Sequence, residues 1–345
     1  MKRFVDRNHQ YIDSINYGTG ENTLAESWFH LIQYVRQVYV DIRQGVTTNG
    51  YLAPSLKNRS DKQSVLDSLD EVDVSLDFCE PKRHAAFRAH PHAYDWALDT
   101  IELCRGAGLT TTIVIMGTDE TLQIDNVSRL FQLAKEYGCY VRINIYRING
   151  NRALKPLSYE ILRKTLLYII ESHVTVSLCD PLVSAVVLRT AVSDPSGTTS
   201  LRILPDGSIT PSTYLVDPKY KRSHIQMASL QTASFRAALS RDIRSDRYPE
   251  ECRGCGLKTL CKGGAIDRRI IWYGTIGERD PYCPFRHGSS PADWDIRGKI
   301  RRARGPEIHD GYLPTLIFCP DRLHAIGAAR RAGSCDVSPA DSLEG

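Results

Sequence analysis

Residues 249–264 read PEECRGCGLKTLCKGG, and the three cysteines in that stretch, Cys252, Cys255 and Cys261, fall at C-x2-C-x5-C spacing. Two sulfurs on one tight turn and a third a few residues on can grip a single metal centre, because thiolates are soft ligands and close spacing lets them face inward together. On spacing alone the centre stays open between an iron–sulfur cluster and a structural zinc, since both accept four cysteinates. Disulfides are the weaker reading. The opening "MKRFVDRNHQ" lacks a signal-peptide core, and no apolar run approaches the ~20 residues of a membrane span. Cytoplasmic residence without a membrane partner is therefore expected, and ten cysteines in such a chain point to metal or redox chemistry.

The remaining composition bounds the answer. A chain of 345 residues can hold one large domain or two medium ones with a buried core, and 42% apolar with 24% charged residues is ordinary for a soluble globular protein. A net charge of +4 is too mild to argue for nucleic acid, and the densest basic run, RGKIRRARGPE, reads as a solvated helix face.

The elements that must position these residues alternate in type. The run YIDSINYG reads as a short strand, and TLAESWFHLIQYVRQ as a helix with Leu24, Trp28, Leu31, Ile32 and Val35 on one stripe and Thr23 and Glu26 as a capping box. Strands ending in GVTTNG and VDVSLD follow, the second after a polar, charge-rich stretch. Helix HAYDWALDTIELCRGAG leads to strand TTTIVIMG, helix NVSRLFQLAKEYG to strand YVRINIYRI, and helix YEILRKTLLYIIESH to strand VTVSL. Strands alternating with helices of this length imply parallel βαβ units and an α/β fold. Polar residues stand at the strand ends: Glu21, Thr47, Thr48, Asn49, Ser75, Asp77 and Asn144. In a (β/α) barrel those ends build the ligand site; otherwise such residues cap the helices that follow.

In this order the motifs resemble the radical S-adenosylmethionine superfamily. GTGENTL (residues 18–24) resembles the GGEPLL segment at the end of the second barrel strand, with Asn22 where the family usually has proline. TTNG and VSLD resemble the ends of the third and fourth strands, and CRGCGLKTLCKGG resembles the SPASM/twitch extension that carries auxiliary clusters. The likeness runs from about residue 12 to 287. Gly18 and Gly20 would let backbone carbonyls approach a ligand. The resemblance implies that Glu21 takes the methionyl amine of S-adenosylmethionine, and that Thr48, Asn49, Ser75 and Asp77 lie near the cofactor or substrate. It also implies that Cys283, in DPYCPF, completes the cysteine set around one auxiliary [4Fe–4S] cluster, and it favours iron–sulfur over zinc.

Departures from the family pattern matter equally. Ser212 stands at the second cysteine of the family's Cys-x(9–15)-Gly-x4-Cys element, only Ser193 and Ser196 lie in the window for the first, and Ala265 replaces the second cysteine of the following C-x3-C. Serine hydroxyls bind iron poorly beside thiolates, so one auxiliary cluster is expected, as in a twitch extension. The remaining cysteines, Cys79, Cys104, Cys139, Cys179, Cys319 and Cys335, share no spacing; packing accounts for Cys104, Cys139 and Cys179, whereas Cys79, at a strand end, could face substrate.

The C-x3-C-x2-C triplet that holds the cofactor-cleaving cluster is absent, and only seventeen residues precede Gly18. The expectation is a partial barrel over residues 1–190 lacking its first βα unit, with MKRFVDR as the tail of the missing helix, a cluster domain over 191–290 and a partly disordered extension over 291–345. The cluster domain would open with the hairpin SLRILPDGSITPS, turned at Asp-Gly. A second [4Fe–4S] cluster would belong only to an untruncated form. A degenerate, inactive homologue and a zinc-stapled binding protein are the alternatives. The resemblance implies radical modification of a substrate (dehydrogenation, epimerisation or decarboxylation), with an electron donor such as flavodoxin or ferredoxin. A small natural-product metabolite is the favoured substrate class and a ribosomal peptide the second.

Overall fold

The computed structural model describes the chain except residues 19, 149–153, 173–175, 178–179, 193, 242, 244–248, 295–299, 303–315, 319–335 and 340–345; for 176–177, 291, 300–302, 316–318 and 336–339 it describes the backbone alone. Cys179, Cys319, Cys335, Ser193 and most of the C-terminal tail therefore lie outside the described residues. The chain divides into two compact units, one of residues 1–116 and 123–144, the other of 117–122 and 145–345.

The first unit is a parallel sheet of five strands, each reached through helix because parallel neighbours cannot be joined by a tight hairpin. Helix α1 (Lys2–Asn8) precedes β1 (Ser14–Tyr17), and α2 (Glu26–Val38) leads to β2 (Arg43–Thr48). Two short helices, α3 (Leu52–Leu56) and α4 (Lys62–Asp67), lead to β3 (Glu71–Ser75). Helices α5 (Pro81–Arg88) and α6 (Ala93–Gly106) lead to β4 (Thr110–Gly117), and α7 (Ile124–Tyr137) to β5 (Tyr140–Ile145). The strands lie side by side in chain order, with Thr47 beside Asp73 and Asp73 beside Thr112.

Alternation along the strands gives this sheet two different faces. One carries Val46, Val72, Val74, Ile113 and Ile115, all fully buried. Gln44 belongs to this face and is satisfied three ways: Tyr17 donates to its Oε1 (2.8 Å), and its Nε2 donates to the carbonyls of Ile32 and Ser68 (2.9 Å each). That amide ties β1 and β2 to α2, whose Trp28, Phe29, Ile32 and Val35 are buried. The other face is polar. Asp73 accepts from Arg142 Nη2 (2.6 Å) and from Thr47 Oγ1 (3.2 Å), so a guanidinium from β5 reaches across β4 to β3. Asn144, two residues on, shares this face, and its buried Oδ1 has no hydrogen-bond partner among the described residues.

One sequence expectation for this unit needs correction. The Thr23–Glu26 capping box does not form: α2 starts at Glu26 with Ala25 as its cap, and Leu24 is 70% exposed rather than on the buried stripe. Thr23 sits in a separate 3-10 turn where its hydroxyl donates to Glu21, while Glu26 is held by the Arg59 guanidinium (2.6 and 2.8 Å). The polar, charge-rich stretch before β3 holds α3 and α4, with Leu52, Leu56, Val65 and Leu66 buried.

In the second unit α8 (Tyr159–Ser172) is followed by β6 (Val176–Ser177) and by α9 (Pro181–Val183), which runs into a π-turn at Ser184–Leu188. Asp180 caps α9 by accepting from the amides of Leu182 and Val183. The expected hairpin is present: β7 (Arg202–Ile203) pairs with β8 (Ser208–Thr210), and β9 (Ser223–His224) adds a third antiparallel strand. Helices α10 (Ala233–Leu239), α11 (Lys258–Cys261) and α12 (Ile266–Tyr273) follow. Leu215, Ile243, Ile266 and Ile270 form a small core against which Tyr220 and Ile276 pack. Three further strands, β10 (Ile300–Arg302), β11 (Leu316–Phe318) and β12 (Asp336–Pro339), are described by their backbone; β11 and β12 each pair antiparallel with β6. Among the described residues no helix is long and apolar enough to cross a membrane.

Candidate functional site

Two of the strand-end residues singled out in the sequence, Thr48 and Asn49, converge on the carboxylate of a third, Glu21. After β1 the chain passes Gly18 and reaches Gly20, whose φ of +145° and open surroundings suit glycine. Glu21 follows. Its carboxylate accepts from the Asn49 amide (2.7 Å), from Thr48 Oγ1 (3.0 Å) and from Thr23 Oγ1 (2.6 Å), which fixes it at the ends of β1 and β2. Thr48 is buried, and its hydroxyl also accepts from the Gly50 amide (3.1 Å); Asn49 is exposed, with Oδ1 accepting from the Tyr51 amide (3.1 Å). Gly50 cannot be another residue without strain, because its φ is +104° and a Cβ there would stand 2.5 Å from the Ala97 amide nitrogen of α6. Such an arrangement presents a preset negative charge beside a backbone bare of side chains, chemistry that suits an ammonium group.

Ser75 is buried at the end of β3. Asp77, expected near the cofactor or substrate, is engaged within the protein. It is wholly buried, and its carboxylate is already engaged by the Met116 amide (2.8 Å) and by Arg88 Nε (2.6 Å) and Nη2 (2.5 Å). Its peptide nitrogen donates to His84 Nδ1 (3.2 Å), and its carbonyl accepts from Asn126 Nδ2 (2.7 Å). Asp77 thus braces the ends of β3 and β4. Burial depresses His84 to about 4, with Arg88 adding to the drop and Asp77 opposing it. Cys79 is half-buried, and burial raises its thiol above the ordinary value.

The four cysteines of the expected metal set lie in one neighbourhood of the second unit, where the Cys261 thiol senses charge on Cys252, Cys255 and Cys283. Two stretches of chain are stitched together there. The Asp280 amide donates to the Gly263 carbonyl (2.9 Å), Asp280 Oδ2 accepts from the Ala265 amide (2.9 Å), and the Cys283 amide donates to the Asp280 carbonyl (2.9 Å). Three of the sulfurs accept a backbone N–H from the residue two positions on: Cys255 from Leu257 (3.4 Å), Cys261 from Gly263 and Cys283 from Phe285. Such N–H donors stabilise thiolate charge, and bonds of this kind tune iron–sulfur clusters. As thiols they are held protonated: burial raises Cys252 above its ordinary value, Cys261 to about 12 and Cys283 to about 11. Ligation therefore has to release their protons. Among the described residues no group of three or more His, Cys, Asp or Glu is placed to hold a metal ion, and the four thiols are no exception. Four cysteines are the donor set that a [4Fe–4S] cluster takes.

Sequence reasoning missed what surrounds this set. Arg268 is fully buried and lies between two carboxylates, Asp280 (Nε at 2.9 Å) and Asp180 (Nη1 at 2.7 Å). Arg147 pairs with Asp267 (3.3 Å), and Asp194 accepts from the Ile266 amide (2.8 Å). The one available signal was the Asp-Arg-Arg run inside the otherwise apolar α12, since consecutive charges on a buried helix need buried partners. Cys104 and Cys139 are fully buried, as packing residues are, and no disulfide forms among the described residues.

No protein-family model matches the sequence, and no curated protein matches it. Solved structures do share the fold. "Native anSMEcpe with bound AdoMet and Kp18Cys peptide" aligns with a TM-score of 0.60 at 18% identity, over 81% of this chain and 82% of its own. Streptococcus suis SuiB bound to S-adenosylmethionine aligns at 0.58 and 17% identity, over 81% of this chain and 69% of its own. Both were solved with S-adenosylmethionine bound, and this chain shares their fold.

Proposed function

We propose that the chain binds S-adenosylmethionine at the ends of β1 and β2 as a member of the radical S-adenosylmethionine superfamily. The observation that carries this reading is Glu21, a carboxylate locked by Thr23, Thr48 and the Asn49 amide in a fold shared with structures that hold this cofactor. Glu21 would take the methionyl ammonium. Gly18 and Gly20 would leave room for the cofactor, Asn49 would offer it a polar rim, and Asp77, through Arg88 and Met116, would hold the neighbouring strand ends in place beside Ser75. When bound and reduced, the cofactor supplies a radical that removes hydrogen from substrate. The sequence contains no C-x3-C-x2-C triplet, so the task assigned to these residues is binding and orientation rather than electron delivery. Calorimetric titration tests the reading: Glu21→Gln is expected to weaken cofactor binding by roughly tenfold or more, the scale of one charge-assisted bond. Equal affinity of both proteins, or no binding by either, overturns it.

Cys252, Cys255, Cys261 and Cys283 are proposed to hold one auxiliary [4Fe–4S] cluster. Four cysteinates leave no iron open to substrate, so the cluster would accept the electron that the substrate radical gives up on oxidation, or shape the pocket, while a donor such as flavodoxin or ferredoxin would supply the electron that cleaves the cofactor. A small natural-product metabolite, oxidised, epimerised or decarboxylated in the cytoplasm, remains the first substrate reading. A peptide is the second, favoured by the peptides bound in two structures that share this fold over 81% of the chain.

A further inference from the structure

Arg268 occupies a place that a merely stabilising ion pair would not need. Its guanidinium is fully buried and joins three separate stretches of the second unit. Towards Asp280 it donates Nε to both carboxylate oxygens (2.9 Å each) and Nη2 to Oδ2 (2.5 Å). Towards Asp180, the cap of α9, it donates Nη1 to Oδ2 (2.7 Å) and Nη2 to Oδ1 (3.3 Å). Asp280 in turn grips the backbone on both sides of the cysteine set. Its Oδ2 accepts from Ala265, four residues after Cys261, its Oδ1 accepts from Tyr282 (3.0 Å), and its carbonyl accepts from Cys283. Gly264 leaves no room for a side chain at this point, because a Cβ there would collide with Asp280.

Cys283 comes from a stretch separate from the one carrying Cys252, Cys255 and Cys261, and its register depends on Asp280 holding both loops. We propose that Arg268 and Asp280 are positioning residues that hold Cys283 in reach of the other three sulfurs, so that losing either converts a four-ligand set into a three-ligand one. The proposal rests on the auxiliary-cluster reading and extends it to residues that touch no iron. The cost of disturbing this pair falls on the fourth ligand first, because lysine cannot grip two carboxylates bidentately and asparagine cannot answer a guanidinium with charge.

The test reconstitutes wild type, Arg268→Lys, Asp280→Asn and Cys283→Ala anaerobically, and measures iron per chain and the electron paramagnetic resonance of the oxidised proteins. Far-ultraviolet circular dichroism checks folding. Wild type is expected to hold about four irons and to be silent when oxidised. The two positioning variants are expected to match Cys283→Ala, with about three irons and the resonance of an oxidised three-iron cluster. Gly264→Ala, which displaces Asp280 without removing any charge, is expected to do the same and carries the test should a charge variant fail to fold. Folded variants that retain four irons and stay silent overturn the positioning role while leaving the cluster standing. A wild type without iron overturns the cluster reading itself.

Discussion

Glu21 and Asp77 show how two carboxylates at similar strand-end positions acquire opposite uses. Glu21 is half-buried and fixed by neutral donors, so its charge stays available to a cation; Asp77 is sealed and paired with Arg88, so its charge is spent inside the protein. Beside Asp77, His84 is held neutral with its Nδ1 accepting from the Asp77 amide. Its proton affinity falls from an ordinary 6.5 to about 4 in the folded protein, so the unfolded chain takes up the proton first. The neutral ring therefore stabilises the fold fully above pH 6.5, and that contribution is lost as pH falls towards 4, by about 3 kcal/mol for one group with this shift. Urea unfolding from pH 7 to 4 is expected to show this loss in wild type and to show much less of it in His84→Gln. Parallel pH profiles for the two proteins would contradict the assignment.

At the scale of elements, the ion pair between Asp73 and Arg142 binds β3 to β5 over the polar face of the sheet, at 1% and 2% exposure. Breaking a buried pair by removing one partner strands the other charge, at a cost of roughly 3–5 kcal/mol. Arg142→Met is expected to lower the urea midpoint accordingly, and an unchanged midpoint would show that the pair is dispensable. The apolar periodicity made α2, α6, α7 and α8 and the five strands legible, because an amphipathic stripe and a buried strand each leave a repeating pattern. Short helices α3, α4 and α5 were not legible: five to eight residues hold too few apolar positions to establish a period. Thr23 misled because a threonine ahead of a helix reads as a cap whether its hydroxyl turns to the helix or, as here, to Glu21. Cys252, Cys255 and Cys261 stood out by their spacing, whereas Cys283 was reached only through the family resemblance. Arg268 with Asp180 and Asp280 was not, since nothing local links residues so far apart in the chain.

For the molecule as a whole, each compact unit carries one candidate site: the strand-end carboxylate lies in the first, the cysteine set in the second. Ligation free energy of a metal centre becomes folding free energy of the segment that holds it. Stripping iron with a chelator is thus expected to raise amide exchange across residues 249–288 and to leave residues 1–116 unchanged. A uniform rise across the chain would instead mean that the centre supports the fold of both units.

The most direct test of the account is the inorganic content of the wild-type protein prepared without oxygen. About four irons and four acid-labile sulfides per chain are expected, the complement of a single four-cysteine cubane. A colourless protein holding one zinc and no sulfide would mean that the sulfurs of Cys252, Cys255, Cys261 and Cys283 form a structural staple, and the radical reading of this chain would lose its redox centre.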